Sequence, residues 1–260
     1  MAQTIQSLER GLKILDILGA AGAPLHLNEI AAHFSLNRSS VFRLVTTLVQ
    51  AGYVIQDAQT RQYSLGLRVL ELSSGFNTFS QVETRLRPVL KQLRDTTGQN
   101  AHLGIMDGAD VVFLAVEQPL GHLSLTIGLG TREPLAHTAL GRAILAFLPE
   151  PEKNTTLDQT EFTPYTEKSV TSRQALEKIL EQIAHTGLAE DDEEFHSGIH
   201  CLAAPIFDQS GNVAFSLGIS GLCRPILSDK EICCKAVLDA GAQASRLLGF
   251  RKTHPTKTVL

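Results

Sequence analysis

Ser39, Arg43, Thr46 and Gln50 carry the groups that read nucleic acid: one forked guanidinium and short hydrogen-bonding side chains. They lie in 35-SLNRSSVFRLVTTLVQAGY-53, where Val41, Leu44, Val45 and Leu48 fall at i, i+3, i+4 and i+7. That spacing marks one buried helical face, so the polar four point the other way, flanked by Ser40 and Thr47. Asn37 or Ser39 can cap the helix, and Gly52 suits a left-handed end. In a major groove Arg43 can hold guanine in a bidentate pair, while Ser39, Ser40 and Thr47 suit phosphates or base edges. Arg38 and the downstream Thr60, Arg61 and Gln62 are expected to meet backbone or minor groove.

Two other groups are candidates for chemistry. The amides of Thr138, Ala139 and Leu140 open a helix, an end that attracts carboxylate or phosphate. Thr138 can also serve as an ordinary cap. His196, His200 and Cys201 raise the thought of zinc, but no second close pair stands at ligand spacing, so no metal is expected. A His–Cys nucleophile is excluded if 200–207 is a strand, because adjacent side chains point to opposite faces. No catalytic residue or cofactor is expected. In 190-EDDEE-194, Glu190, Asp192 and Glu193 read as solvated loop residues, with Glu194 free to tie the loop to the domain.

These residues need elements to position them. Ile5, Leu8, Leu12, Leu15 and Leu18 recur at helical spacing before GAAGAPL breaks the pattern. A short helix over 28–34 follows, with Asn28 as its cap and Ile30, Ala31 and Phe34 inward. The three-residue link 35–37 then leads into the Arg43 helix, which makes a helix-turn-helix. Tyr53 and Ile55, a DAQTRQ turn, then Tyr63 and Leu65 predict a hairpin wing that closes the unit near Gly66. Residues 67–97 read as helical, with a break around 75–80 because of Gly75 and Pro88. Strands are expected over 101–106, 111–116 and 123–128, helices over 138–148 and 172–187, a hairpin over 200–207 and 213–220, and a last helix over about 228–248.

The 260 residues favour two domains, and 43% hydrophobic content is ample for a core. The net charge of −4 excludes an indiscriminate polyanion binder. Yet six Lys/Arg face four Asp/Glu through Arg68, against 17 and 23 beyond it, so the N-terminal part can approach DNA. The four cysteines show no CxxC spacing, no leader pattern opens the chain, and no apolar run is long enough for a membrane. A cytoplasmic protein without membrane contact is expected.

The chain resembles the IclR-type family of bacterial transcriptional regulators over nearly its whole length. The likeness runs through 5-IQSLERGLKILDIL-18, RSSVFRLVTTLVQAGYV, 63-YSLGLRVLEL-72 and 134-PLAHTALGRAILAFLP-149. Its most specific part is 190–221, where the acidic run, Gly198, Cys201, AAP and SG stand in family order. The resemblance implies an α+β protein: a winged helix-turn-helix over 1–66, a linker helix over 67–79, and a GAF-like antiparallel effector-binding domain over 80–250, with a tail over 251–260. It implies Asp191, Cys201 and Ser220 around one effector cavity with Thr138, Ala139 and Leu140. A serine found in some relatives two residues before Ser220 is Gly218 here, which either makes room for a larger effector or removes a hydrogen bond. The expected partners are double-stranded operator DNA, a small carboxylate effector, and further copies of the chain as a homodimer or dimer of dimers. The effector is expected to be a sugar acid or short oxo or hydroxy acid, whose hydroxyls would donate to Asp191. The competing reading is a ligand-binding protein whose winged helix docks a protein instead of DNA.

Overall fold

The computed structural model describes residues 4–74, 77–119 and 128–251. It divides into two compact units, one ending at Asn77 and the other beginning at Thr78.

In the first unit, α1 (Gln6–Ala20), α2 (Leu27–Ala32) and α3 (Arg38–Gln50) close on Ile14, Leu18, Ile30, Val41 and Val45. β1 (Val54–Gln56) pairs antiparallel with β2 (Tyr63–Leu65), and Val54 and Tyr63 complete the core. α4 (Leu67–Ser74) follows. Three expectations need correction. α2 starts at Leu27, with His26 rather than Asn28 at its cap, because the Glu29 carboxylate accepts the His26 N–H at 2.6 Å. In the wing Val54 points inward, and Ile55 is exposed. In α1 the buried residues are Ile14 and Leu18, while Ile5, Leu8 and Leu12 are exposed. The periodicity is real, but part of it belongs to a second face.

The second unit is built on a six-stranded antiparallel sheet. Its strands are β3 (Asn100–Asp107), β4 (Asp110–Glu117), β5 (Arg132–Pro134), β6 (Ala189–Asp192), β7 (Ile199–Phe207) and β8 (Val213–Leu222), in the order β5-β4-β3-β8-β7-β6. One apolar cluster joins the sheet to α5 (Asn77–Thr97) and α10 (Lys230–Leu247) through Leu86, Leu90, Leu217 and Val237. A second joins it to α6 (Ala139–Leu145) and α8 (Arg173–Thr186) through Val111, Leu140, Ile144, Leu176 and Ala203. Helices thus cover both sheet faces. Thr138 caps α6, its hydroxyl accepting the Gly141 N–H at 3.2 Å, and Gly187 ends α8 at φ 76°, both as expected.

Other features depart from the sequence reading. α5 begins at Asn77, inside the break expected over 75–80, of which residues 75 and 76 lie outside the described residues, and it runs on through Pro88 with Leu86, Val89 and Leu90 buried around it. β5, β6, α7 (Glu150–Asp158) and α9 (Cys223–Ser228) were not expected. α7 has almost no apolar pattern, with only Thr156 and Leu157 buried. The strand expected over 123–128 and the tail beyond Arg251 lie essentially outside the described residues. Among the described residues no helix is long and apolar enough to cross a membrane.

Candidate functional site

On the first unit, α3 begins at an Asn37 cap whose side chain accepts the Ser40 N–H at 2.9 Å. The anticipated polar contacts then divide. Ser39 donates its hydroxyl to Asn37 Oδ1 at 2.9 Å, Thr47 donates to the Arg43 carbonyl at 2.9 Å, and Thr60 donates to Asp57 at 3.0 Å. Those three hydroxyl protons serve the local backbone turns. Arg38, Arg43 and Arg61 are exposed, and none meets a carboxylate among the described residues. Three unpaired guanidiniums on one small module are suited to phosphates and guanine edges.

Arg38, Ser39 and Arg61 border one groove with Phe42, Gln56 and Tyr63. Ser40, Arg43 and Thr47 border another, with Leu8, Leu12, Leu15 and Leu72. Gln62 is half-buried in the wing turn. Arg61 holds φ 60°, a left-handed conformation fixed by its N–H on the Asp57 carbonyl and its carbonyl on Gln56 Nε2. Phe42 was missed by the sequence reading. It is 47% exposed on the recognition helix, where an aromatic edge can pack on a thymine methyl. Its signal was a large apolar residue about 100° off the buried stripe. We expect Arg43→Ala to lose about 1–3 kcal/mol at the cognate sequence and little on scrambled DNA. Arg61→Ala should weaken both equally and flatten the salt dependence. Fluorescence anisotropy at several salt concentrations separates the two.

In the second unit all six anticipated effector residues line one cavity of about 280 Å³: Thr138, Ala139, Leu140, Asp191, Cys201 and Ser220. Register brings them together. Asp191 pairs across the sheet with Cys201, and Cys201 with Ser220, so the three share a face. The amides of α6 arrive from the helix layer, and α6 sits close because Gly141 lets the helix approach the Leu135 backbone. A Cβ there would fall 2.1 Å from the Leu135 carbonyl oxygen.

Of the two alternatives for Gly218, the structure rules out the larger cavity. Gly218 is absent from the cavity wall, and a Cβ on it would stand 2.3 Å from the Leu202 carbonyl oxygen. The close approach of β7 requires the glycine, so it makes no room for an effector.

The cavity also holds groups that the sequence reading overlooked. His102, 2% exposed, meets Ser220 Oγ through Nε2 at 2.7 Å, and its Nδ1 has no partner among the described residues. Burial pulls its pKa down to about 4, so the ring is neutral. Glu133 sits in the wall as well, and burial, aided by Asp191, pushes its carboxyl up to about 7. Asp191 rises to about 6, chiefly by burial, against hydrogen bonds to Oδ1 from the Glu194 N–H at 2.8 Å and the Phe195 N–H. Its Oδ2 has no partner among the described residues. Burial beside Asp191 and Glu133 pushes the Cys201 thiol well up, which keeps it protonated and poorly nucleophilic. Among the described residues no Lys or Arg lines the cavity.

The acidic run is a strand followed by a turn rather than a loop, and the partly exposed Glu190, Asp192 and Glu193 are held in ion pairs. Glu194 binds the fully buried Arg142 through two bonds of 2.7 Å, and Arg142 also donates to the Ala136 carbonyl at 2.8 Å. The tie expected of Glu194 is therefore present. Glu190 bonds Lys230, and Lys168 bridges Asp192 and Glu193 at 3.0 and 2.7 Å. His196 lines the cavity with Cys201, whereas His200 lies on the other sheet face, so the His196–His200–Cys201 trio is not assembled.

Residues 7–58 match the IclR helix-turn-helix domain, and residues 78–246 match the C-terminal domain of bacterial transcriptional regulators of the IclR type. The chain is 31% identical to the transcriptional regulator XynR of Escherichia coli K12, over 95% of this chain and 98% of that one. It is 34% identical to the transcriptional regulator BhcR of Paracoccus denitrificans, over 95% and 87% respectively. The crystal structure of Thermotoga maritima IclR superposes with a TM-score of 0.77 at 28% identity, covering 95% of this chain and all of that one. These matches favour DNA over a docked protein as the target of the winged helix. The chain belongs to the IclR family of bacterial transcriptional regulators.

Proposed function

We propose that the protein is a repressor whose hold on an operator is set by a small hydroxylated or oxo acid bound in the 280 Å³ cavity. The observation that carries this reading is the convergence of Asp191, Glu133, Ser220 and the amides of Ala139 and Leu140 on that one cavity. A wall whose described residues include no Lys or Arg disfavours a bare anion. A hydroxy acid answers this, because its hydroxyl donates to Asp191 Oδ2 while its carboxylate meets the α6 amides and a protonated Glu133. A plain aromatic acid offers Asp191 nothing. Removing the carboxylate in Asp191→Ala should cost about 1.5–3 kcal/mol of acid binding, the range for hydrogen bonds to charged groups. Calorimetric titration with sugar acids and short oxo and hydroxy acids tests it; unchanged affinity would remove Asp191 from the site.

The operator-bound species is a homodimer or dimer of dimers, because one winged helix reads too few base pairs alone. Leu67 and Leu70 of α4 are 78% and 69% exposed, and Leu8 and Leu12 of α1 form a second bare apolar row. Exposure of that extent supports a buried seam between copies. The double variant Leu67→Glu/Leu70→Glu should sediment as a smaller species and lose tight operator binding. Unaltered sedimentation would exclude α4 from the seam.

A further inference from the structure

We propose a second ligand site, for a zinc-class divalent cation, on the sheet face opposite the cavity, formed by Asp192, His200 and Cys223. Asp192 and His200 are cross-strand partners on β6 and β7. Cys223 is the first residue of α9, pinned by its N–H on the Gly198 carbonyl at 3.0 Å. One donor atom from each lies within 4.8 Å of the other two. His200 Nδ1 stands 3.2 Å from Asp192 Oδ1. Two ligands of one tetrahedral zinc ion are about 3.3–3.8 Å apart, so this pair stands just inside that spacing and needs only a small separation to admit the ion.

The surroundings support a metal better than a plain ion-pair network does. His200 is fully buried, and its Nε2 lies 2.9 Å from Glu190 Oε1, which Lys230 holds in place. A carboxylate behind the far nitrogen is the arrangement that orients a metal-bound imidazole. As the side chains stand, that contact is off the line of a good hydrogen bond. Lys168 does not occupy the site, because it takes Asp192 Oδ2 and leaves Oδ1 facing His200. Glu193, beside Asp192, holds φ 62°, a conformation that is costly outside glycine, and its Oε2 accepts the Gly198 N–H at 2.7 Å. That contact fixes the turn on which the two strands meet. Binding releases the Cys223 thiol proton to solvent, so a carboxylate, a thiolate and a neutral imidazole balance a divalent charge. Three protein ligands leave one position open to water.

Cobalt(II) titrated into the metal-free full chain, with a phosphine reductant present, tests the assignment. One equivalent should produce a thiolate-to-cobalt charge-transfer band, and zinc should bleach it. The band should vanish in Cys223→Ser and persist in Cys234→Ser. Glu190→Gln should weaken cobalt binding by about 10–100-fold, as loss of a group behind a ligand does. If Cys223→Ser does not fold, Asp192→Asn, half-exposed and nearly isosteric, should still lower the affinity. No band in the wild type, a band undiminished in folded Cys223→Ser, or full affinity in Asp192→Asn would each overturn the proposal.

Discussion

Glu194→Ala is expected to cost about 3–5 kcal/mol of stability in the second unit, because it strands a buried guanidinium. Arg142 is fully buried on α6, with both terminal nitrogens on Glu194. Removing the carboxylate leaves a charge in the protein interior with only the Ala136 and Glu190 carbonyls to answer it. Replacing both partners by apolar residues, in Arg142→Met/Glu194→Leu, should recover most of the loss, since desolvating the pair is itself costly. Denaturant unfolding of the three variants decides the matter. A loss below about 1 kcal/mol in Glu194→Ala, the range of exposed pairs, would show that the pair is solvent-screened. The same tie places Asp191, because the Glu194 and Phe195 amides hold its Oδ1. Acid binding should therefore weaken in Glu194→Ala even where the variant remains folded.

Glu133→Gln should stabilise the protein at pH 8 by on the order of 1–3 kcal/mol and leave it unchanged at pH 4. The sign follows from a carboxyl whose pKa is raised in the folded state, from 4.5 to about 7. Below pH 4.5 folded and unfolded chains both hold the proton, and the residue is neutral in the balance. Between 4.5 and about 7 the unfolded chain releases it first, so the folded state loses ground as pH rises. Above that window the penalty is complete, and glutamine is free of it. The effect falls below the full shift because Glu133 is only partly buried. Thermal unfolding of both proteins across this range checks the slope; parallel curves would mean that Glu133 titrates normally.

Much of this architecture was legible because local patterns specify it. Val41 and Val45 fixed the inward face of α3, Asn37 or Ser39 its start, and Gly187 the end of α8. What the chain hid depends on partners far away. Arg142 and Glu194 are 52 residues apart, and neither carries a local sign of burial. β6 is mostly acidic, so alternation of hydropathy is blind to it, although Asp191 faces in and Asp192 out. Glu133 lies on a three-residue edge strand too short to show a period. In α1, helical spacing located Leu8 and Leu12 but not which way they face, because that helix carries two apolar rows. The cavity residues Asp191, Cys201 and Ser220 came from the family likeness, and register then explains their convergence.

The measurement closest to the central claim is operator binding by the full chain, on DNA upstream of its own gene, titrated with hydroxy and oxo acids. Wild type and Asp191→Ala would be followed by anisotropy at fixed salt. The account predicts that one such acid shifts wild-type affinity at least about tenfold, which corresponds to 1.4 kcal/mol of coupling. Asp191→Ala should bind the same DNA as tightly as wild type and fail to respond at that acid concentration. An acid response that persists undiminished in Asp191→Ala, or a wild type that binds the DNA and responds to no acid in the panel, would contradict it.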